Sequence, residues 1–415
     1  MRTKKQKASL RASLKKSEYR STYAFIKAEA EKHGVVITRG SEFTNTFIRR
    51  RPTGIFGLDV ALNGGWGCGT FGQIIGPDSV GKNDLVFRSC AANQRIYGDQ
   101  SKILFCTFGE TTLDKAQARN LGFTIPLTDP EISVLEGARR QPFSPEEKAD
   151  LRAEIGEVLQ ISGMAMEDVL ETALRFIATG AFQLAILDSV GGMVSRAALD
   201  ADIGGGKEAG LTRAAALGQF CAKSFLHFHR GVETVVLLLN QFRAELNSMS
   251  FGPQTRQSGG WAIRHAKCAD VELRRFKHRL ETGKRWDEQT KSPSRNYELW
   301  GTGVEWRVLK AKAGAHEGGI GRFIRYFTEH EGWKPWDINE IPVIRKHAEA
   351  EEILVYDKSR SKWRLPKLDE SGRDFLLAKD DVGELLTTNL DYRQALCRAI
   401  MARVLERSGH IIATD

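Results

Sequence analysis

The loop between a predicted strand and a predicted helix reads Gly76-Pro77-Asp78-Ser79-Val80-Gly81-Lys82-Asn83. It matches the pattern G-x-x-x-x-G-K-[ST] except at the last position, where Asn83 stands in place of a hydroxyl residue. In this pattern the glycines turn backbone N–H groups toward phosphate oxygens, the lysine reaches the β- and γ-phosphates, and the hydroxyl holds Mg²⁺. The stretch therefore predicts a phosphate-binding loop and leaves its metal chemistry open.

Length and composition indicate a large α/β core with one or two smaller modules. The chain has 415 residues, of which 41% are hydrophobic and 27% charged. No apolar run approaches the roughly 18–20 residues that a membrane-spanning helix needs, so we expect a soluble protein. The six cysteines form no C-x-x-C pair and follow no signal peptide, which is typical of reduced thiols in a cytoplasmic protein. Four closely spaced zinc ligands are missing.

Basic residues are concentrated at the N-terminus of a chain whose formal net charge is +9. They are Arg2, Lys4, Lys5, Lys7, Arg11, Lys15, Lys16 and Arg20. This concentration favours a polyanionic partner, and it is equally typical of a solvated helix. A third interpretation is an organelle transit peptide, because the segment contains Ser and Arg and few acids, although it shows no cleavage signal.

Polar side chains follow three apolar runs that predict buried strands. Glu110 follows the first run, Asp188 ends the second, and Gln241 comes directly after the third. In open α/β sheets, ligands bind at the carboxyl ends of the strands. A carboxylate across from a phosphate loop holds the Mg²⁺–water shell in this class of site. The alternative for Asp188 is a cap on the following turn.

The pattern also predicts helices, two long loops and three parts of the chain. The helices cover Leu113–Leu121, Pro145–Leu159, Met166–Thr179, Thr212–His229 and Tyr392–Glu406. The loops lie at about 198–210 and 243–260, and loops longer than about 12–15 residues are usually functional or disordered. We expect an N-terminal segment for subunit contact at 1–50, a core at 51–327 and a C-terminal module at 328–415.

Taken in this order, the motifs resemble those of the RecA family of recombinases over about residues 53–326. Residues 109–122, Gly-Glu-Thr-Thr-Leu-Asp-Lys-Ala-Gln-Ala-Arg-Asn-Leu-Gly, are similar to the family stretch Ala-Glu-His-Ala-Leu-Asp…Ala…Leu-Gly. Leu187-Asp188-Ser189-Val190 resembles the family's second nucleotide motif, and Asn240-Gln241-Phe242-Arg243 resembles the start of its second DNA-binding loop. The departures indicate a remote branch of the family, and a phage-encoded one is a candidate.

The resemblance implies a fold and a set of catalytic roles. The fold is a RecA-like phosphate-loop ATPase core with a mostly parallel central sheet, a small helical N-terminal segment and a smaller α+β C-terminal module. Glu110 corresponds to the glutamate that activates the attacking water, and Gln241 to a glutamine that senses the γ-phosphate. Lys310 and Lys312 correspond to a pair that reaches the ATP of a neighbouring subunit. Without the resemblance, they read as exposed lysines on an edge strand.

The resemblance also implies the ligands of the site. The implied cofactors are ATP and Mg²⁺. Asn83 and Asp188 are the residues implied to bind the metal. The residues implied to bind the nucleotide are Gly76, Pro77, Asp78, Ser79, Val80, Gly81, Lys82, Asn83, Asp84, Asp114 and Gln117. Gln117 stands where the family often stacks a tyrosine on adenine, and Asn83 is bulkier than the usual hydroxyl residue. Both departures predict altered nucleotide preference or slow turnover.

The DNA-binding residues implied by the resemblance lie in the two long loops. They are Gly204, Gly205, Gly206, Lys207, Arg243, Leu246, Met249, Phe251, Arg256, Gly259 and Gly260. Such loops offer backbone N–H groups and basic side chains to phosphates, and apolar residues that wedge between bases. Leu246 matches an apolar position that the family inserts into the stretched strand. The first loop lacks the corresponding methionine.

These features predict a DNA-dependent ATPase that forms helical filaments on single-stranded DNA and exchanges strands with double-stranded DNA in recombinational repair. Single-strand-binding and mediator proteins are the further partners implied by the resemblance. A nucleotide-gated filament protein with little or no hydrolysis is the second hypothesis, because Asn83 departs from the pattern. A ring helicase on the same core is the third.

Overall fold

The computed structural model describes residues 19–33, 35, 37, 49–109, 113–202, 209–244, 255–257, 260–283, 286–295, 297–312, 315, 317–366, 368 and 375–407. The chain falls into two compact units, 1–47 and 48–415. In the first unit, helix α1 spans Tyr19–Lys32. All other elements named below belong to the second unit.

The helices of the second unit lie both within the sheet region and after it. They are α2 Phe56–Ala61, α3 Lys82–Tyr97, α4 Lys115–Asn120, α5 Asp129–Arg139, α6 Pro145–Arg152, α7 Met166–Ala178, α8 Arg196–Leu199, α9 Ala209–Phe228, α10 Gly260–Ala266, α11 Ile341–Ala350, α12 Lys379–Thr388 and α13 Leu390–Arg407. Two single 3-10 turns lie at Gly98–Gln100 and Val190–Gly192. In the described part of the chain, none of the helices is both long enough and apolar enough to cross a membrane.

The strands are concentrated between residues 66 and 340. They are β1 Arg50–Arg51, β2 Trp66–Gly67, β3 Phe71–Ile75, β4 Lys102–Phe108, β5 Glu157–Gly163, β6 Leu184–Asp188, β7 Val235–Asn240, β8 Phe242–Ala244, β9 Thr255–Gln257, β10 Lys267–Thr282, β11 Trp286–Asp287, β12 Ser292–Pro293, β13 Glu298–Ala311, β14 Ile320–Tyr326, β15 Ile338–Asn339, β16 Val355–Asp357, β17 Lys362–Leu365 and β18 Phe375–Leu377.

One nine-stranded sheet organises the second unit, in the order β15-β14-β13-β10-β3-β7-β6-β4-β5. Neighbours from β10 through β5 run parallel. Strands β13, β14 and β15 extend the sheet in antiparallel fashion beyond β10. The predicted mostly parallel central sheet is confirmed, and its parallel strands place their carboxyl ends at one edge.

Side-chain alternation along the central strands divides the hydrophobic core between the two faces of the sheet. On β4, Ile103 and Phe105 belong to one cluster, whereas Leu104 and Cys106 belong to the other. Because successive strand residues point to opposite faces, a strand buried on both faces is apolar at nearly every position. All six residues of β7 are accordingly buried. Each fully buried large apolar side chain contributes roughly 1.5–3 kcal/mol.

The predicted helix at Pro145–Leu159 begins correctly but is too long. The Ser144 side chain accepts a hydrogen bond from the Glu147 N–H at 3.1 Å, and the Glu147 carboxylate accepts from the Ser144 N–H at 2.6 Å. This capping box starts α6, which ends at Arg152. Residues 157–163 instead form β5, because pairing with β4 satisfies their backbone groups in the sheet.

A third hydrophobic cluster lies at the C-terminal end of the chain. Leu386, Leu396 and Ile400 are its fully buried centre, and Trp333 packs with them. The predicted closing helix Tyr392–Glu406 is confirmed as α13, with two more residues at its N-terminal end and one more at its C-terminal end. The domain boundary after residue 327 stays a prediction.

Candidate functional site

The phosphate loop connects β3 to α3 and adopts the backbone that its glycines require. A Cβ on Gly76 would lie 2.6 Å from the Leu273 carbonyl oxygen, so no larger residue fits against β10 there. Gly81 has φ 103° at the N-cap of α3, a conformation that L side chains rarely adopt. The Lys82 Nζ donates to the carbonyl oxygens of Gly76 at 3.0 Å and Pro77 at 2.8 Å. The Lys82 side chain therefore folds back onto the predicted phosphate loop and binds its carbonyl groups.

An open cavity of about 500 Å³ lies over the phosphate loop. Its lining residues are Asp78, Ser79, Gly81, Lys82, Asn83, Asp84, Gln117, Asp188, Ser189, Gln241, Arg325, Phe327 and Trp336. Lys82, Asp188 and Gln241, far apart in the chain, meet here because β3, β6 and β7 are neighbours with parallel direction. The structure therefore brings the lysine of the phosphate loop together with two of the residues that the sequence placed at strand ends.

Burial shapes the charges of the cavity. It raises the pKa of the Asp188 carboxyl to about 6, and the nearby Lys82 ammonium opposes that rise. Burial likewise lowers the pKa of Lys82, against the attraction of Asp78 and Asp188. A bound cation would favour the ionised form of Asp188.

The side chains of Asn83 and Asp188 suit a magnesium ion. Both line the cavity over the loop and also a narrow cleft beneath it. Carboxylate and amide oxygens are hard ligands, and Mg²⁺ at nucleotide sites is typically held by one or two carboxylates together with phosphates. Within the described ranges no group of three or more His, Cys, Asp or Glu residues forms a metal cluster. Phosphate oxygens and water molecules are the usual further ligands of such an ion.

Asp84 and Gln117 lie at the cavity wall, whereas Asp114 has a local structural contact. The Asp84 carboxylate accepts from Gln117 Nε2 at 2.7 Å and from Arg325 Nη1 at 2.5 Å. Asp114 is the N-cap of α4 and accepts from the Gln117 N–H at 2.9 Å. A nucleotide contact by Asp114 stays a prediction.

Lys310 and Lys312 do not line the cavity of their own chain. Lys310 lies near the end of β13, and Lys312 comes directly after that strand. At Lys310 the strand pairs with β10, whereas its pairing with β14 ends at Arg307, so the alternative of lysines at a strand edge stays open. The Nζ of Lys310 donates to the Arg264 carbonyl oxygen, and the Nζ of Lys312 donates to that of His265 at 3.0 Å. Burial and the neighbouring ammonium group of Lys312 lower the pKa of Lys310. The pair therefore lies beside α10.

Several predicted residues lie outside the described residues, and their roles stay predictions. They are Glu110, Gly204, Gly205, Gly206, Lys207, Leu246, Met249, Phe251 and Gly259. For Arg243 and Arg256 only the backbone is described, and the two residues pair across the hairpin of β8 and β9. Gly260 is the first residue of α10. The strand β8 begins directly after Gln241, so the cavity and the second long loop are adjacent in the chain.

The sequence analysis missed four residues at or beside the cavity: Arg275, Arg325, Phe327 and Trp336. The Nη2 of Arg275 donates to the Ser79 carbonyl oxygen at 2.6 Å, so β10 braces the loop. Arg325, Phe327 and Trp336 come from the end of β14 and the turn after it. No local pattern marks them, because only the antiparallel extension of the sheet brings this segment back to the phosphate loop.

The sheet, the loop after β3 and the acidic residue at the end of β6 define the class: an α/β protein with a phosphate-loop core like that of RecA. Comparison with known proteins narrows this class. The family model described as the RecA N-terminal domain matches residues 143–293. Curated relatives named "Protein RecA" match a wider part of the chain.

Three such relatives illustrate the range of similarity. The one from Desulfovibrio desulfuricans is 28% identical over 228 residues, covering 54% of this chain and 53% of the relative. The one from Solidesulfovibrio magneticus is 26% identical over 247 residues, covering 59% of each. The one from Wolinella succinogenes is 30% identical over 227 residues, covering 54% of each. The chain thus spans little more than half the length of these relatives, to which it is similar at 26–30% identity.

Proposed function

We propose that the chain is a DNA-dependent ATPase that assembles on single-stranded DNA and carries out homologous pairing and strand exchange. The observation that carries this proposal is the meeting of Lys82, Asp188 and Gln241 in one cavity over the phosphate loop. A loop alone supports nucleotide binding only. A γ-phosphate sensor that leads directly into a second long loop supports coupling of the nucleotide to DNA.

The residues of the cavity have distinct tasks in this proposal. Lys82 leaves the carbonyl oxygens of Gly76 and Pro77 and neutralises the terminal phosphates of the nucleotide. Asp188 and Asn83 hold Mg²⁺, which neutralises charge on the transferred phosphoryl group when it is bound. Gln241 meets the terminal phosphate and passes its state to β8 and the loop that follows.

Lys310 and Lys312 complete the site of another subunit in this proposal. They lie outside the cavity of their own chain and beside α10, the helix that follows the second long loop. Burial, together with the neighbouring ammonium groups of Lys312 and Lys267, lowers the pKa of Lys310. A neighbouring nucleotide would supply the missing negative charge.

The proposal is tested by binding to a labelled single-stranded oligonucleotide with and without ATP. We expect ATP to strengthen DNA binding at least tenfold in the unchanged chain. The Lys82→Ala variant should lose that stimulation, because the terminal phosphates of ATP are no longer neutralised. Arg322→Gln, on β14 but paired with Glu305 away from the cavity, is a matched control for loss of one positive charge. Binding that ATP does not change in the unchanged chain would refute the proposal.

A nucleotide-gated protein without useful turnover is the second candidate. Asn83 favours it, because it lines the metal side of the cavity where a hydroxyl residue normally stands. Phosphate release with single-stranded DNA present separates the two candidates. If the chain is an ATPase, we expect it to release phosphate clearly faster than the Lys82→Ala variant. We expect Asn83→Thr to release phosphate faster than the unchanged chain, since a smaller hydroxyl side chain fits the metal shell. A rate equal to that of Lys82→Ala would favour the second candidate.

A further inference from the structure

A largely buried ion pair between Asp84 and Arg325 lies in the wall of the nucleotide cavity. Asp84, in the first turn of α3, is 6% exposed, and Arg325 reaches it from β14. Both oxygens of Asp84 are taken, one by Arg325 Nη1 at 2.5 Å and the other by Gln117 Nε2 at 2.7 Å. Asp84 is therefore an anchor that orients two side chains of the cavity wall, rather than a free ligand.

The guanidinium of Arg325 lies directly against the phosphate loop. A methyl group on Gly81 would lie only 3.3 Å from Arg325 Nη1. On its other side the guanidinium carbon is 4.8 Å from the centre of the Phe327 ring, which limits how far it can swing. Arg325 Nε is buried and has no hydrogen-bond partner among the described residues. Because Arg325 also lines the cavity, its guanidinium is placed to attract an anion there.

The charges that line the cavity also favour binding of an anion at Arg325. Its lining includes three carboxylates, those of Asp78, Asp84 and Asp188, and two cations, Lys82 and Arg325. A nucleotide brings several more negative charges into this space. Because Lys82 serves the terminal phosphates, the phosphate next to the sugar needs another cation, and Arg325 is the second cation that lines the cavity.

We propose that Arg325 is a nucleotide-binding residue supplied by the same chain, which contacts the α-phosphate and is held in place by Asp84 and Phe327. The inference rests on the proposed nucleotide site and adds a residue to it. The pair also links β14, at the far end of the sheet, to the helix of the phosphate loop. Nucleotide binding in the cavity would therefore involve β14, the segment that leads into the predicted C-terminal module.

Titration calorimetry of the full chain with MgADP tests this contact. We expect Arg325→Gln to weaken ADP binding by about tenfold or more, the loss typical of one charge-assisted hydrogen bond. Asp84→Asn should weaken ADP binding clearly less than Arg325→Gln, because it loosens the arginine but leaves it in the cavity and also removes a negative charge. Arg325→Lys should recover part of the affinity, and Arg322→Gln should bind ADP within twofold of the unchanged chain.

The difference in size between these two losses of ADP affinity separates a ligand contact of Arg325 from a purely structural ion pair. Thermal unfolding without ligand should show similar losses for Arg325→Gln and Asp84→Asn, since both break the same ion pair. Equal weakening of ADP binding in both variants, or no weakening in Arg325→Gln, would overturn the inference while the nucleotide site stands. Failure of the unchanged chain to bind MgADP would overturn the proposed function as well.

Discussion

At the scale of single residues, burial decides which side chains can carry charge. Asp59 is 9% exposed and accepts a hydrogen bond from the Thr53 N–H at 2.6 Å, yet burial raises its pKa to about 8. Glu340, which accepts from the N–H groups of Phe56 and Gly57, also has a raised pKa because of burial. The folded chain therefore holds protons on these carboxyls that the unfolded chain releases.

This linkage predicts that stability falls as pH rises. Below the unfolded pKa of Asp59, ~3.9, its contribution is complete, and it is lost as pH rises to the folded pKa of about 8. In that window the free energy of unfolding should drop by up to about 1.4 kcal/mol per pH unit from this group. Asp59→Asn, which keeps an acceptor for Thr53, should flatten the pH profile measured by thermal unfolding. A variant with the same slope as the unchanged chain would contradict the assignment.

At the scale of elements, β5 shows how a strand can replace a predicted helix. Gly156 precedes it with φ 69°, and a Cβ there would lie 2.1 Å from the Ser101 carbonyl oxygen. The Glu157 N–H donates to that same oxygen at 2.7 Å. The glycine thus lets the chain turn closely past the start of β4 and begin its parallel pairing.

Gly156→Ala should therefore destabilise the edge of the sheet by at least about 2 kcal/mol, from backbone strain and the steric clash together. Gly231→Ala is a matched control, because Gly231 also has a positive φ, 92°, but an added Cβ meets nothing within 4 Å. Hydrogen exchange measures the effect locally. We expect faster exchange of the amides of residues 157–163 in the first variant only, and equal exchange in both would show that the clash is relieved elsewhere.

At the scale of the whole molecule, the proposed active site is shared between chains. Mixing two inactive variants tests this: Lys82→Ala, which lacks the lysine of the loop, and the double variant Lys310→Ala with Lys312→Ala. We expect each alone to lose DNA-stimulated phosphate release and the mixture to regain part of it. In the mixture, an intact loop on one subunit can meet intact lysines on its neighbour. No recovery at any ratio would count against a shared site.

Much of the fold and of the candidate site could be predicted from the sequence, because the patterns that mark them are local. The phosphate loop, the apolar strands and the acid at the end of β6 are contiguous patterns, and each has a physical meaning on its own. The capping box at Ser144 likewise marks the start of α6. Its end could not be predicted, since sheet pairing outweighs helix propensity in residues 157–159.

The sequence by itself thus determined the class of fold and the nucleotide half of the site. Only the tertiary structure showed that Arg325, 241 positions beyond Asp84, closes the same cavity. It also showed that Lys310 and Lys312, at the end of β13 and directly after it, donate to carbonyl oxygens of α10 and do not line the cavity of their own chain. The physical reason is that strand order and the antiparallel extension depend on long-range pairing of backbone groups, which no local pattern of side chains records.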